Sequence, residues 1–158
     1  MGSAEVAKEL WQKAYGLQME GKLDEALELY TQSIEEFPTA EAYTFRGWTY
    51  SFKNDLQRAI ADCQKAIEID AEFGNPYNDI GVYLVRMERK DEALEWFEKA
   101  TTARRYESRC FPWANLARIY EERGQWSRAL AHYKRSLDEN PDYTVARQGL
   151  TRVLGLLN

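Results

Sequence analysis

A short pattern centred on an alanine occurs four times along this 158-residue chain, at intervals of 33, 34 and 36 residues. The four anchors are Ala26, Ala59, Ala93 and Ala129, and each follows two polar residues and precedes Leu or Ile. A period of about 20–50 residues is typical of supersecondary units that cannot bury their apolar faces alone. Such units stack on their neighbours, so the period predicts an elongated array with a continuous core.

Small residues also stand at two fixed distances from these anchors, seven residues after them and twelve residues before them. The sets are Ser33, Ala66, Ala100 and Ser136 after the anchors, and Ala14, Gly47, Gly81 and Ala117 before them. Small side chains at fixed points predict crossings where two helical backbones come close together. A bulky residue at Ala93 would overpack such a crossing, at a cost of about 1–3 kcal/mol.

Each unit contains two amphipathic stretches whose apolar residues recur three or four positions apart, as on a helix with one buried face. In the second unit Leu56, Ala59, Ile60, Cys63 and Ile67 share such a face. The composition also favours helices, because Ala, Leu and Glu are plentiful whereas Gly and Pro are few. Turn-forming residues lie between the stretches, at 20–22, 53–55 and 123–125.

The chain therefore resembles a tetratricopeptide repeat array, whose unit is a 34-residue helix-turn-helix. The resemblance implies an all-α, right-handed α-solenoid of antiparallel helix pairs with about nine helices. The chain departs from the pattern at Ala71, Lys90 and Arg105, and two extra residues stand around 107–109. We expect one domain over residues 1–158, with repeats at about 7–39, 40–73, 74–109 and 110–143 and a C-terminal capping helix at 144–158.

The predicted capping helix has an apolar side, on which Val145, Leu150 and Leu154 are expected to cover the fourth repeat. Its polar side carries Arg147, Gln148 and Arg152. The apolar run at 154–157 exceeds what one capping turn needs, so this tail offers a surface for self-association.

The net charge of −5 disfavours binding to nucleic acid, which calls for a basic surface. No stretch approaches the roughly 20 apolar residues of a membrane helix, and no signal peptide is visible at the start of the chain. Cys63 and Cys110 have no CxxC spacing, and we expect both to be reduced thiols of a cytoplasmic protein. Cys63 is expected to be buried and Cys110 partly exposed.

No catalytic or metal-binding constellation is visible. His132 is the only histidine, and we expect it on an outward-facing, solvated surface. Cys63, Cys110 and His132 fall in three different repeats and do not form the three or four converging ligands of a metal site. Arg104, Arg105 and Arg109 could bind an acidic partner, but a solvated turn is the favoured interpretation. We therefore predict neither an enzyme nor a cofactor.

The resemblance implies that the first helix of each repeat lines a concave groove that binds a partner peptide or helix. The first two repeats place aromatic residues and a methionine there at helical spacing, whereas the last two place polar and small apolar residues. The predicted groove residues are Trp11, Tyr15, Met19, Phe45, Trp48 and Phe52 in the apolar half, and Asn78, Asp79, Val82, Arg86, Asn115 and Arg118 in the polar half. Gln18, Thr44, Ser51 and Ala114 are also expected to be exposed on this wall.

Exposed aromatic clusters usually mark an interaction site, and Trp, Tyr and Met are enriched in interface cores. The alternative is that Trp11 and Trp48 pack against each other across the repeat boundary and bind nothing. The leading hypothesis is thus a non-catalytic adaptor for a protein partner. A self-associating structural module, a homo-oligomer through the C-terminal tail, is the second hypothesis.

Two further functions are less favoured. Tetratricopeptide co-chaperones bind the acidic tail of heat-shock chaperones through a clamp of Lys, Asn and Arg. The corresponding positions here are Trp11, Tyr15, Phe45, Asn75 and Asp79, or, one repeat later, Thr44, Trp48, Asp79, Phe111 and Asn115. Neither set carries the positive charge that would hold two carboxylates, so we expect weak or no binding of that tail. An RNA-binding helical array would need a basic groove.

Overall fold

The computed structural model describes residues 3–158, and this part of the chain folds into nine α-helices. An isolated backbone bridge joins Phe73 to Arg105 outside the helices. The helices are α1 (Ser3–Met19), α2 (Leu23–Glu36), α3 (Ala40–Phe52), α4 (Leu56–Ile69), α5 (Asn75–Arg86), α6 (Lys90–Thr102), α7 (Cys110–Glu122), α8 (Trp126–Glu139) and α9 (Thr144–Leu157).

The helices pack as four consecutive pairs, α1 with α2 through α7 with α8, and each pair stacks on the next. Helix α9 packs on α8 and also touches α7. Because contacts join only neighbouring helices or next neighbours, the molecule is an α-solenoid of antiparallel helix pairs, as predicted.

The small residues predicted at the helix crossings are buried in all four pairs. Ala26, Ala59, Ala93 and Ala129 are fully enclosed. At Gly81 in α5, an added Cβ would lie 2.4 Å from the ring of Phe97 in α6. The backbone of α5 thus rests directly on an aromatic ring, which only a residue without a side chain allows.

Buried hydrogen bonds reinforce the first and fourth pairs at equivalent positions. The Ser33 hydroxyl donates to the Ala7 carbonyl at 2.7 Å, and the Ser136 hydroxyl donates to the Cys110 carbonyl at 2.7 Å. The same two pairs carry a buried tyrosine four residues after the anchor. Its hydroxyl donates to a side chain near the end of the first helix, to Gln18 at 2.7 Å in one pair and to Glu121 at 2.6 Å in the other.

Four inter-helix turns share a left-handed residue at the same place in each repeat. Gly21 and Gly124 have φ of 77° and 70°, and Asn54 has φ of 58°. The fourth is Glu88, with φ of 60°, a conformation that side chains rarely adopt. The predicted turns at 20–22, 53–55 and 123–125 are confirmed, whereas the turn at Glu88 carries no glycine or asparagine that could have indicated it.

Arg105 and Arg109 of the third connection make contacts within the protein, whereas Arg104 stays exposed, as expected for a solvated turn. Arg105 binds Asp70 at 2.7 Å and Glu41 at 2.8 Å, and its guanidinium lies over the ring of Phe73. Its backbone N–H donates to Glu72 O at 2.9 Å. Arg109 in turn donates to the Ala103 carbonyl at 2.6 Å.

Two further expectations about burial need correction. Cys110 is only 5% exposed, and its carbonyl accepts the hydrogen bond from Ser136, so both free cysteines are buried. His132 lies against the rings of Trp113 and Tyr120, at centroid distances of 5.5 and 5.0 Å, and is partly buried rather than fully solvated.

Helix α9 covers the fourth repeat with a different face from the predicted one. Its buried residues are Ala146, Gly149 and Val153, with Leu150 partly buried. Val145 and Leu154 are each 41% exposed. The small residues decide the orientation, since the Tyr133 ring lies so close to Gly149 that an added Cβ would come within 2.3 Å of it.

Replacing Gly81 by alanine should destabilise the protein by about 1–3 kcal/mol, because the new methyl group overlaps the ring of the buried Phe97. The free energy of unfolding in urea measures the loss. Gly16→Ala is the matched control, since nothing lies within 4 Å of its Cβ position in α1. That variant should gain about 0.5–1 kcal/mol from helix propensity. Equal effects of the two substitutions would contradict the close crossing at Gly81.

Candidate protein-binding groove

The predicted aromatic residues of the first two repeats form one continuous stripe along α1 and α3. Trp11 stacks on Tyr15 at a centroid distance of 6.0 Å, and both rings meet the ring of Phe45 edge-on, at 5.4 and 5.6 Å. Phe45 contacts Trp48 at 6.0 Å, and Trp48 contacts Phe52 at 5.1 Å. We call these five residues the aromatic stripe.

Phe45 crosses the repeat boundary to reach Trp11, so the predicted alternative pairing of Trp11 with Trp48 is not the contact that forms. Three rings of the stripe, Trp11, Phe45 and Trp48, are partly buried. The ends of the stripe are open. Tyr15 is 39% exposed and Phe52 is 56% exposed, and Met19, near Tyr15, is 52% exposed.

Several inner-wall positions that were expected to be exposed are buried instead. Gln18 accepts the hydrogen bond from Tyr30, and the Thr44 hydroxyl donates to the Ala40 carbonyl within α3. Ser51 and Ala114 are likewise buried. The accessible wall is therefore narrower than the helical spacing predicted.

The polar half of the groove is partly occupied by contacts within the protein. Asn78 is buried, and its side-chain oxygen accepts from the Asn115 amide at 3.0 Å, which links α5 to α7. Arg86 donates to the Ser51 carbonyl at 3.1 Å and to the Asn54 side chain at 3.2 Å. These hydrogen bonds of Arg86 therefore hold α5 against α3.

The remaining predicted residues of the polar half line a second, smaller hollow of about 230 Å³. Val82 and Arg118 face it together with Asn115 and Glu122, and Arg86 lies at its edge. Arg118 is exposed, and Glu122 forms an ion pair with Lys90 at 2.6 Å.

A cavity of about 300 Å³ opens in the centre of the groove, where the two predicted halves meet. Phe45 and Trp48 of the aromatic stripe form one side of it. The full lining is Thr44, Phe45, Trp48, Asn75, Asn78, Asp79, Tyr106, Ser108 and Phe111. Cavities of about 300–1,000 Å³ are the size of small-ligand or side-chain pockets.

Asp79 is the charged residue of this lining, and its carboxylate forms no hydrogen bond or ion pair with any residue in the range 3–158. Burial by the surrounding residues disfavours the charged form and raises the pKa of Asp79 to about 7. Burial is the main cause of the raised pKa of the Cys63 thiol and of the Tyr83 and Tyr106 hydroxyls, and the charge of Asp79 raises each pKa further.

Sequence reasoning missed two walls of this cavity, Tyr106 and Ser108. Both lie in the 103–109 connection, where two extra residues break the repeat period. The ring of Tyr106 is buried against Gly74, at which an added Cβ would lie 2.3 Å from that ring. Gly74 directly before a helix was a signal for such a close approach.

Within residues 3–158, no group of three or more His, Cys, Asp or Glu side chains is placed to hold a metal ion. No helix in that range has the length and apolar character needed to cross a membrane. The unusual chemistry of the groove is therefore its combination of open aromatic rings with one unpaired carboxylate.

Family profiles of the tetratricopeptide repeat match three segments of the chain, residues 40–73, 77–105 and 110–143. The chain is a tetratricopeptide repeat protein. This confirms the resemblance seen in the sequence. Proteins of this family generally act as protein-interaction modules without catalysis of their own.

A curated relative is the Protein SGT1 homolog of Oryza sativa subsp. japonica, which is 35% identical over 88 residues. The match covers 55% of this chain and 24% of that protein, so the chain spans about a quarter of the relative's length.

Two solved structures have the same fold. One is Pseudomonas aeruginosa pilF, with a TM-score of 0.90 and 19% identity over 99% of this chain and 71% of that one. The other is YrrB, described as a TPR protein with an unusual peptide-binding site, with a TM-score of 0.68 and 21% identity over 93% of this chain and 75% of that one. The fold class predicted from the sequence is confirmed.

Replacing Asp79 by asparagine should stabilise the protein at pH 8 and should do so less at pH 5, since the loss of stability begins above the unfolded pKa of 3.8 and is complete only above the folded pKa of about 7. The folded-state pKa of about 7 lies above the unfolded value of 3.8, so the folded protein binds the proton more tightly. Stability contributed by this group is therefore present at low pH and is lost as the pH rises towards 7. The gain at pH 8 should be a few kcal/mol, because one unit of pKa corresponds to about 1.4 kcal/mol.

Urea unfolding of both proteins at pH 5 and pH 8 measures this difference. Asp138→Asn is the control, since Asp138 is an exposed residue of α8 and its replacement changes the net charge equally. An Asp79→Asn variant equally stabilised at both pH values, or destabilised at pH 8, would show that the carboxylate has a partner.

Proposed function

We propose that this protein is a non-catalytic adaptor that binds a segment of a partner protein in its concave groove. The observation that carries the proposal is the aromatic stripe, which runs from one repeat into the next and leads into the central cavity. Its outer rings stay exposed although the repeat core is complete without them. Open apolar surface of this kind usually marks an interaction site.

The partner segment would lay apolar side chains on Trp48, Phe52 and Tyr15 and bring a polar group to the central cavity. The Asn78–Asn115 pair beside it has amide groups suited to the backbone of an extended peptide. The apolar and polar halves predicted from the sequence are kept in this proposal, with the boundary at the cavity. YrrB has a peptide-binding site on the same fold, which supports a peptide as ligand.

The heat-shock co-chaperone function is disfavoured for the reason found in the sequence. The groove positions that would hold two carboxylates carry aromatic residues and Asp79, and the nearby Arg86 is bound to Ser51 and Asn54. The cytoplasmic location inferred from the reduced cysteines stays a prediction.

The double substitution Phe45→Ala and Trp48→Ala should abolish capture of the partner from a lysate of the source cells, read by mass spectrometry. Once the partner segment is known, Trp48→Ala alone should weaken its binding by about 2 kcal/mol or more, as expected for an aromatic anchor. Isothermal titration calorimetry with the synthetic segment measures this loss.

A matched control is Leu156→Ala and Leu157→Ala, which removes the same kind of exposed apolar surface from α9. This variant should capture the partner like the wild type. Both variants need circular dichroism spectra equal to that of the wild type. Equal capture by the wild type and the Phe45 and Trp48 variant would exclude the aromatic stripe as the binding site.

A second candidate function is self-association through α9. The observation that favours it is the exposed apolar surface at the C-terminal face of the solenoid, formed by Val145, Leu154, Leu156 and Leu157. Because a helix array stacks end to end through such faces, this surface could dock on another copy.

Light scattering distinguishes the two candidates. If α9 mediates assembly, the wild type should have the mass of a dimer or larger at about 50 μM, and Leu154→Ala with Leu156→Ala should be monomeric, because the lost apolar area drives association. A monomeric wild type at that concentration would exclude this second function and leave the adaptor proposal unaffected.

A further inference from the structure

We propose that the central cavity receives a basic side chain, lysine or arginine, of the partner segment, which would bind between the aromatic rings and the Asp79 carboxylate. This inference rests on the proposed adaptor function and specifies the chemistry of its ligand. The partner segment would then combine an apolar residue on the aromatic stripe with a basic residue in the cavity.

The Asp79 carboxylate has no hydrogen-bond or ion-pair partner among residues 3–158. Every arginine near the groove is already bound elsewhere or faces another hollow. Arg46 forms a two-pronged ion pair with Asp62 at 2.8 Å, Arg86 is held by Ser51 and Asn54, and Arg118 faces the hollow beyond Asn115. The carboxylate therefore lines a cavity that lacks a positive charge of its own.

Asp79 is partly buried and has no partner for its charge within the described part of the chain. A partly buried acid without a partner destabilises the fold when it ionises. A ligand cation would offset the cost directly, because opposite charges attract strongly where water is excluded.

The walls of the cavity are largely aromatic. Phe45, Trp48, Tyr106 and Phe111 contribute four aromatic rings around one carboxylate. Aromatic faces attract Lys and Arg cations, and the long apolar stems of these side chains suit an apolar entrance. A cavity of about 300 Å³ is large enough for such a side chain.

An acidic or a purely apolar side chain fits these observations less well. An acidic group would meet Asp79 with a like charge, and no cation in the lining would compensate. An apolar tip would leave the carboxylate buried without a partner, which is unfavourable. Ser108 and Asn75, the remaining polar side chains at the rim, could accept hydrogen bonds from an ammonium or guanidinium group.

The test uses four N-acetyl amino-acid methylamides that differ only in the side chain: lysine, arginine, norleucine and glutamate. Each is titrated into ¹⁵N-labelled full-length protein at pH 8, and the backbone amide signals of Thr44, Asp79 and Ser108 report binding in the cavity. The lysine and arginine compounds should bind at least about fivefold more tightly than norleucine, because they add ion pairing and cation–π attraction. The glutamate compound should bind most weakly.

Asp79→Asn should abolish the preference for lysine and arginine over norleucine, whereas Asp138→Asn should keep it. Equal binding of norleucine and lysine by the wild type would overturn the cation site, yet leave the apolar groove and the adaptor function standing. Tighter binding of glutamate, an unchanged preference in Asp79→Asn, or no shift at the cavity amides with any of the four compounds would also overturn it.

Discussion

The close crossing of the two helices in each pair determines where every other residue of this protein lies. The first helix can approach the second only because residues such as Gly47 and Gly81 carry no side chain. At Gly47 an added Cβ would lie 2.9 Å from the Ala59 carbonyl oxygen, and at Gly81 it would overlap the Phe97 ring. This contact fixes the rotation of the first helix, and the rotation decides which of its residues face the groove. The aromatic stripe is thus a consequence of the crossing. Gly47 faces α4, whereas Phe45 and Trp48, its near neighbours in the sequence, face the groove.

The same crossing explains how much could be predicted from the sequence. The spacing of small residues is visible without a structure, and it correctly predicted the helix pairs. Where small residues were given too little weight, the prediction failed. The predicted orientation of helix α9 relied on its largest apolar residues. The helix instead packs through Ala146 and Gly149, so Val145 and Leu154 are exposed.

The central cavity could not be predicted from the sequence, because some of its walls belong to regular repeat helices and others to an irregular connection. Asp79 and Trp48 occupy regular repeat positions and were identified as groove residues. Tyr106 and Ser108 belong to the irregular 103–109 connection, whose course depends on the bridge between Phe73 and Arg105. Helical spacing carries no information about such a segment. Burial of the polar inner residue Gln18 was missed for a related reason, since it depends on a hydrogen bond from Tyr30 in another helix.

The arrangement of charge connects the stability of the solenoid with the selectivity of its groove. Arg46, Arg86 and Arg105 all reach from one helix or connection to another, and their partners are Asp62, the Ser51 carbonyl, Asp70 and Glu41. These guanidinium groups stabilise the stacking of repeats and are not available to a ligand. Asp79 is left without a counter-charge where the stack opens into the central cavity. The central cavity thus combines aromatic rings with a carboxylate that has no counter-charge among the residues of its lining. In the proposed site, the sign of a ligand's charge would matter as well as its apolar area, because a like charge brought into a site of low dielectric constant is strongly disfavoured.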